Sequence, residues 1–130
     1  MSSSSEALWR VEATASFLER LESIEAFWAE ADAAHAFDAL LAELRATVIP
    51  NLARFPRMGR RYLSRPPQSA EALAQLAVLP SGAALSLREY LHGDYLVLYS
   101  LADARQTVYL LSIRHHRQLS FDFARLWPGA

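Results

Sequence analysis

The fold is decided by the stretch LSLREYLHGDYLVLYSLADARQTVYLLSI, residues Leu85–Ile113. Its apolar and β-branched side chains fall into three short runs separated by turn-forming residues, a pattern typical of consecutive strands. The first two runs, Leu85–Leu91 and Tyr95–Leu101, are joined by His92-Gly93-Asp94, which predicts a tight turn. The third run, Gln106–Ile113, follows a four-residue connection, so the stretch predicts a three-stranded antiparallel meander.

The second and third of these strands are apolar on both faces. Tyr95–Tyr99 and Val108–Leu111 are nearly continuous apolar runs, whereas an antiparallel strand with one wet face alternates apolar and polar residues. Both faces of the sheet should therefore be covered. Helices can cover one face, and we expect the C-terminal segment Leu119–Trp127 or a partner protein on the other, because soluble monomers rarely expose a large apolar patch.

A strand and a helix are predicted before the meander. Apolar and polar residues alternate from Trp9 to Ala15, which is the pattern of a half-buried strand. Ser16 and Glu19 have the spacing of a capping box, which opens a helix. Apolar residues then recur at helical intervals, which predicts a helix over residues 16–31.

A second helix is predicted over residues 34–50, with Asp32 as its cap. Pro50 should end or kink it, because proline lacks the backbone N–H that an α-helix needs. The element order is then β-α-α-β-β-β. It predicts an α+β fold in which a helical hairpin packs on one face of an antiparallel sheet.

Length and composition bound the class of protein. The chain has 130 residues, of which 52% are hydrophobic, so we expect one globular domain over residues 1–130 with a disordered tail at residues 1–6. The absence of cysteine excludes disulfides and cysteine-ligated metals. No apolar run approaches the roughly 18 residues of a membrane span, and Met1–Ser5 lacks the basic and apolar regions of a signal peptide. We therefore expect a cytoplasmic protein that does not engage a membrane, and nothing in the sequence requires a cofactor.

The net charge of −1 hides an asymmetry along the chain. Residues 1–43 carry nine acids and two arginines, a net charge of −7, whereas residues 44–130 carry five acids and eleven arginines, a net charge of +6. The chain contains no lysine. A GC-rich genome would favour arginine over lysine, but the guanidinium fork also suits phosphates and carboxylates, so the basic part is a candidate binding surface.

Three motifs, in this order and on this pattern of elements, resemble one family. Phe55–Arg60 has the form F-P-x-x-G-R, which follows the helical hairpin in ParE-like toxins. Arg88–Tyr90 together with Gly93–Tyr99 resembles the R-E-L … G-x-Y-R-V-L-Y hairpin, and Ile113–Arg117 resembles the I-x-H-x-R that ends the final strand. The likeness covers about residues 8–123 and is to the RelE/ParE superfamily of toxins from type II toxin–antitoxin systems.

The resemblance implies a growth-inhibiting toxin, associated with plasmid stabilization, that forms a hetero-oligomer with a co-encoded antitoxin. Members either cut mRNA in the ribosome or poison DNA gyrase. RelE-type nucleases usually have an arginine where this chain has Leu96, and they use lysines, which this chain lacks. We therefore favour gyrase as the target and keep ribosome-dependent mRNA cleavage as the alternative, so whether the protein is an enzyme stays open.

Two further features bear on these alternatives. The acidic first third of the chain also suits a non-toxic binding module derived from this fold. Residues 63–83 form a longer connection than is usual in the family, and the sequence assigns them no role.

The candidate catalytic residues are His115, Arg117 and Arg88. His115 and Arg117 should share one face of the last strand. A histidine titrates near neutral pH and could do acid–base chemistry on a phosphodiester, while an arginine holds the phosphate. Arg88 could face the same cleft. The alternatives are a polar strand exit that contacts solvent or the partner and, for Arg88, a cross-strand ion pair with Glu89. His115 and His116, without a third ligand nearby in the sequence, give little support for a metal site.

The candidate target-binding residues are Arg54, Arg57, Arg60 and Arg61. They belong to residues 45–65, which contain six arginines and no acid, with aromatic residues interleaved as a nucleic-acid surface would favour. Alternatively, Arg60 pairs with an acid and pins the loop, or the segment forms a seat for an acidic antitoxin helix. The aromatic segment Phe121–Trp127 is expected to pack on the core or, alternatively, to stack on bases.

Overall fold

The computed structural model describes residues 8–61 and 86–115. Within these ranges the strands are β1 (Arg10–Ala13), β2 (Arg60–Arg61), β3 (Leu87–His92), β4 (Tyr95–Ala102) and β5 (Thr107–His115). The helices are α1 (Ala15–Glu30), α2 (Ala34–Glu43) and α3 (Ile49–Arg54), and a π-helical turn, Leu44–Val48, connects α2 to α3. The predicted first strand, helical hairpin and meander are confirmed, and the two-residue strand β2 is an addition that the sequence did not indicate.

The strands form one sheet in the order β1-β5-β4-β3-β2. The pairs β3–β4 and β4–β5 are antiparallel, as predicted, and the additional pair β2–β3 is antiparallel too, but β1 pairs with β5 in parallel. The sheet is thus mostly antiparallel rather than wholly so. The physical reason is the long connection between the two strands. The chain leaves β1, forms the helices and the hairpins β3–β4 and β4–β5, and only then reaches the end of β5. A connection of this length lets two strands lie parallel, whereas a short turn makes them antiparallel.

Helix α1 begins two residues earlier than the capping box predicted. Thr14, not Ser16, is its N-cap: Thr14 has the extended backbone that a cap requires, and its hydroxyl accepts a hydrogen bond from Phe17 N–H at 3.3 Å. The same hydroxyl donates to the carbonyl of Leu110 at 2.8 Å. The cap therefore also ties the start of α1 to β5.

The second helix is interrupted by a proline, as predicted, without ending there. Just before Pro50 the hydrogen bonding widens to the π pattern, in which Ile49 N–H donates to Leu44 O. Such a turn relieves the clash that a proline ring makes with the preceding turn. The predicted cap at Asp32 is wrong, because Asp32 lies in the turn between the helices with a φ of 58° and Ala33 occupies the N-cap.

The β3–β4 hairpin turns at Gly93 and Asp94, where the sequence predicted a tight turn. Gly93 has a φ of 58°. Two-residue hairpin turns need this left-handed conformation at their first central position, and glycine adopts it without steric cost.

The helices lie on one face of the sheet, which we call the helix face. A cluster of buried residues joins the helices to β4 and β5, including Phe17 of α1, Leu52 of α3 and Val97 of β4. Between Leu98 and Tyr99 a β-bulge shifts the register with β5. The bulge places an extra residue in β5, which explains why its apolar run does not alternate.

The opposite face of the sheet, which we call the outer face, carries Leu87, Leu96, Leu98 and the bulge residue Leu111. These four leucines are buried, with exposures of 1% for Leu87, 8% for Leu96, 0% for Leu98 and 0% for Leu111, whereas Leu91, which pairs with Leu96 on the same face, is 60% exposed. The burial of the four agrees with the prediction that both faces of the sheet are covered, and the segment Leu119–Trp127, one of the two predicted covers, lies outside the described residues.

Several sequence-based expectations lie outside the described residues. They concern the tail at residues 1–6, the connection at residues 63–83, Tyr62, Arg65, His116, Arg117 and the segment Leu119–Trp127 with the aromatic run Phe121–Trp127.

Candidate functional site

The most distinctive surface feature of the described residues is the arginine loop, residues 55–61, which leads from α3 into β2. Its first four residues form a β-turn that is closed by a hydrogen bond of 3.0 Å from Met58 N–H to Phe55 O. Pro56 occupies the second position of that turn, where its fixed φ suits the geometry. The loop therefore has a defined conformation set by local sequence.

The phenol of Tyr99 anchors the arginine loop from below. Tyr99 is fully buried in β4, where its hydroxyl donates to Pro56 O at 3.0 Å and accepts from Gly59 N–H at 2.9 Å. Burial raises the pKa of Tyr99 above its usual value, while the hydrogen bond from Gly59 and the Arg88 guanidinium partly oppose that rise. The phenol therefore stays protonated and can donate and accept at once.

The loop lies so close to the sheet at Gly59 that there is no room for a side chain. A Cβ at position 59 would lie 2.5 Å from the Tyr99 hydroxyl and 2.6 Å from Glu89 O. The loop thus packs against the sheet at a distance that only glycine allows.

Arg88 is the second anchor of the loop. In the β3–β4 register it pairs with Tyr99 and so lies on the helix face. Its Nη1 donates to Gly59 O at 2.6 Å and to Arg57 O at 3.1 Å. Its guanidinium therefore holds the backbone of the loop, a contact that neither predicted alternative for Arg88 anticipated.

Two of the loop's arginines make ion pairs. Arg60 Nε lies 2.5 Å from Glu89 Oε1, as one alternative predicted, and Arg57 pairs with Asp103. The Arg57 guanidinium also lies over the Trp9 ring, 5.5 Å from its centroid. These contacts tie the loop to β3, to the β4–β5 connection and to the residue before β1.

The other two predicted target-binding arginines are exposed. Within residues 8–61 and 86–115, neither Arg54 nor Arg61 makes a hydrogen bond or ion pair through its side chain. Their guanidinium groups therefore remain available to a ligand, as far as the described residues go.

The proposed catalytic residues are not gathered in one cleft by the described residues. His115 pairs with Tyr95 and Arg88 with Tyr99, so both lie on the helix face but four residues apart along β4. At the rise of a strand this is a separation of about 13 Å along the sheet. Arg117 lies outside the described residues, so its position relative to His115 stays a prediction.

His115 instead lines a groove beside α1, with a volume of about 550 Å³. The residues that line this groove are Arg20, Ser23, Ile24, Phe27, Trp28, Tyr95, Ile113 and His115. The Trp28 indole donates to the Tyr95 hydroxyl at 3.0 Å, and the rings of Tyr95 and His115 meet edge to face. The groove is mostly apolar, with an arginine and a histidine among its lining residues.

No group of three or more histidine, aspartate or glutamate side chains in the described part of the chain is arranged to hold a metal ion. In the same residues, no helix has both the length and the apolar character that crossing a membrane demands.

Sequence reasoning missed the anchors Tyr99 and Gly59 and the exposed apolar residues Phe55 and Met58. Phe55 is 56% exposed and Met58 44% exposed. The F-P-x-x-G-R pattern contained the signal, since a glycine between a proline turn and a strand often marks a close backbone approach. The partner of that glycine is 40 residues away in the chain, so local pattern could not identify it.

Comparison with known proteins places this geometry in context. Residues 11–120 match the family model described as the ParE toxin of the type II toxin–antitoxin system parDE. The fold resembles a chain in the crystal structure of the toxin–antitoxin complex RelBE2 from Mycobacterium tuberculosis, with a TM-score of 0.50 and 17% sequence identity over 84% of this chain and 92% of that one. No curated protein matches the sequence significantly.

Proposed function

Because the chain belongs to the ParE toxin family of type II toxin–antitoxin systems, we propose that it inhibits growth by binding DNA gyrase in the cytoplasm, and that a co-encoded antitoxin neutralises it. The target-binding surface in this proposal is Arg54 together with the arginine loop.

The observation that supports binding rather than cleavage is the engagement of Arg88. A nuclease would need a positively charged group beside its acid or base to hold the phosphate. Arg88 donates instead to two carbonyls of the loop and lies about 13 Å along the sheet from His115. Its position supports a structural role, and the result is a fixed, exposed and basic loop.

Ribosome-dependent mRNA cleavage is the second candidate, and one observation favours it. His115 and Arg20 line the same groove, so a histidine and an arginine are both available there. In this alternative His115 would supply the acid or base, and Arg117 the phosphate clamp.

Two assays on the purified chain separate these candidates. One measures supercoiling of relaxed plasmid by gyrase, and the other measures cleavage of mRNA on translating ribosomes. We expect inhibition of supercoiling, no new mRNA ends, and recovery of supercoiling when the product of the neighbouring gene is added. If new mRNA ends appear while supercoiling stays normal, the target is the ribosome-bound mRNA and not gyrase. If neither supercoiling nor mRNA changes, and cells that express the chain grow normally, the protein is a non-toxic binding module.

Charge reversal tests the surface. Arg54→Glu and Arg61→Glu should each weaken gyrase inhibition several-fold, because each replaces an exposed cation at the proposed interface. Arg20→Glu is the matched control, because Arg20 lies on α1 in the groove with His115 and away from the arginine loop. Equal effects of the three substitutions would argue against the arginine loop.

A further inference from the structure

We propose that Phe55 and Met58 are the anchor residues of a protein-docking surface, whose partner is an apolar pocket rimmed by carboxylates on the target protein. This rests on the proposed function, because gyrase is the target considered, and it deepens it by naming the kind of surface that is bound. Nucleic acid as the direct ligand of the arginine loop is the competing outcome.

Phe55 and Met58 form one patch. They are the first and last residues of the β-turn closed by Met58 N–H and Phe55 O, and the ends of such a turn lie within about 7 Å of each other. A shallow pocket of about 290 Å³ extends the patch from Met58 to Leu91, which is 60% exposed. The surface thus offers three apolar side chains to a partner.

The patch is exposed but not loose. Tyr99 and Arg88 between them bind the carbonyls of Pro56, Arg57 and Gly59 and the amide of Gly59. A surface whose backbone is already fixed loses little conformational entropy when it binds. Apolar side chains held at the centre of such a surface are the usual hot spots of protein interfaces, where aromatic residues and methionine are enriched.

The charges of the arginine loop favour protein over nucleic acid. Arg57 and Arg60 pair with Asp103 and Glu89, so the exposed guanidinium groups of residues 54–61 that the described part of the chain leaves without an acidic partner are those of Arg54 and Arg61. Affinity for nucleic acid comes mainly from neutralising many phosphates at once, and the two exposed, unpaired cations that residues 54–61 offer within the described part of the chain provide little of this. Two cations beside an apolar patch do match a pocket with carboxylates on its rim.

The test compares a double variant, Phe55→Ser with Met58→Gln, with the control Leu18→Gln. Leu18 is 49% exposed on α1, so the control removes a comparable exposed apolar side chain away from the loop. Binding is measured to gyrase, to a DNA duplex and to a single-stranded RNA at two salt concentrations, alongside growth inhibition in cells. Thermal unfolding and antitoxin binding confirm that each variant is folded.

We expect the double variant to bind gyrase at least tenfold more weakly and to lose growth inhibition, while Leu18→Gln behaves as the unaltered chain. Affinity for gyrase should fall only modestly with salt, and binding to the duplex and to the RNA should be weak. A double variant that binds and inhibits normally would overturn the inference, as would tight, steeply salt-dependent binding to either nucleic acid that survives the double substitution. If the unaltered chain inhibits growth without binding gyrase, the proposed function fails. The inference then stands only if the double variant loses growth inhibition and neither nucleic acid is bound.

Discussion

Replacement of Gly59 by alanine tests whether the arginine loop is fixed by its close approach to the sheet. The new Cβ would lie 2.5 Å from the Tyr99 hydroxyl and 2.6 Å from Glu89 O, whereas carbon and oxygen normally approach to about 3.3 Å. Tyr99 is buried and Glu89 belongs to the paired strand β3, so neither can retreat by this amount. The loop must lift instead.

Lifting the loop has a cost that can be worked out from its contacts. Overpacking of this kind costs about 1–3 kcal/mol. Loss of the hydrogen bonds that Gly59 makes with Tyr99 and with Arg88 adds about 1 kcal/mol each. We expect a loss of about 3–5 kcal/mol in the free energy of unfolding and a fall of roughly 10–20 °C in Tm, measured by urea and thermal unfolding followed by circular dichroism.

Gly93→Ala is the matched control, because the two glycines are needed for different reasons. A Cβ at Gly93 would meet nothing within 4 Å, so only the left-handed φ of 58° opposes alanine there. That strain costs about 1–2 kcal/mol. If Gly59→Ala loses no more stability than Gly93→Ala, the loop is not held by close contact and the argument for a preorganised surface is refuted.

Three further predictions concern the anchors and the cap. Because burial raises the pKa of Tyr99, the folded state keeps its proton more strongly than the unfolded chain does. The stability linked to this proton is fully present below pH 10, the ordinary pKa of the group, and is lost as pH rises from there towards the folded pKa. Urea unfolding at pH 8 and pH 10.5 should therefore show a smaller alkaline loss for Tyr99→Phe than for the unaltered chain, and equal losses would contradict this assignment. Arg88→Ala should lose about 2 kcal/mol because two loop carbonyls lose their donor, with partial recovery in Arg88→Lys; full stability of Arg88→Ala, again by urea unfolding, would mean that the loop does not depend on it. Thr14→Ala should cost about 1–2 kcal/mol, because it removes both the cap of α1 and the bond to Leu110, while Thr14→Ser should keep most of the stability; a similar Tm for all three proteins would argue against the cap.

The sequence identified the charged residues of the candidate site but not the contacts that most of them make. The basic character of residues 54–61 follows from composition, and the pairing of Arg60 with an acid was one of two alternatives that charge alone left open. For Arg88 the sequence left open a cleft shared with His115 or a cross-strand ion pair with Glu89. The strand register, which the sequence does not show, pairs Arg88 with Tyr99 and His115 with Tyr95. The two side chains therefore lie four positions apart along β4 and do not share a cleft.

The sequence by itself determined the meander, the turn at Gly93, the two helices with a disturbance at Pro50, and membership of a toxin family. These features depend on hydrophobic periodicity and on backbone preferences within a few residues of chain, which sequence displays directly. Tertiary structure alone decided that β1 runs parallel to β5, and that Tyr99 and Arg88 hold a loop some 30 to 40 residues away in the chain. Such contacts form between groups brought together by the whole fold, and their free energy depends on distance and burial rather than on spacing in the sequence.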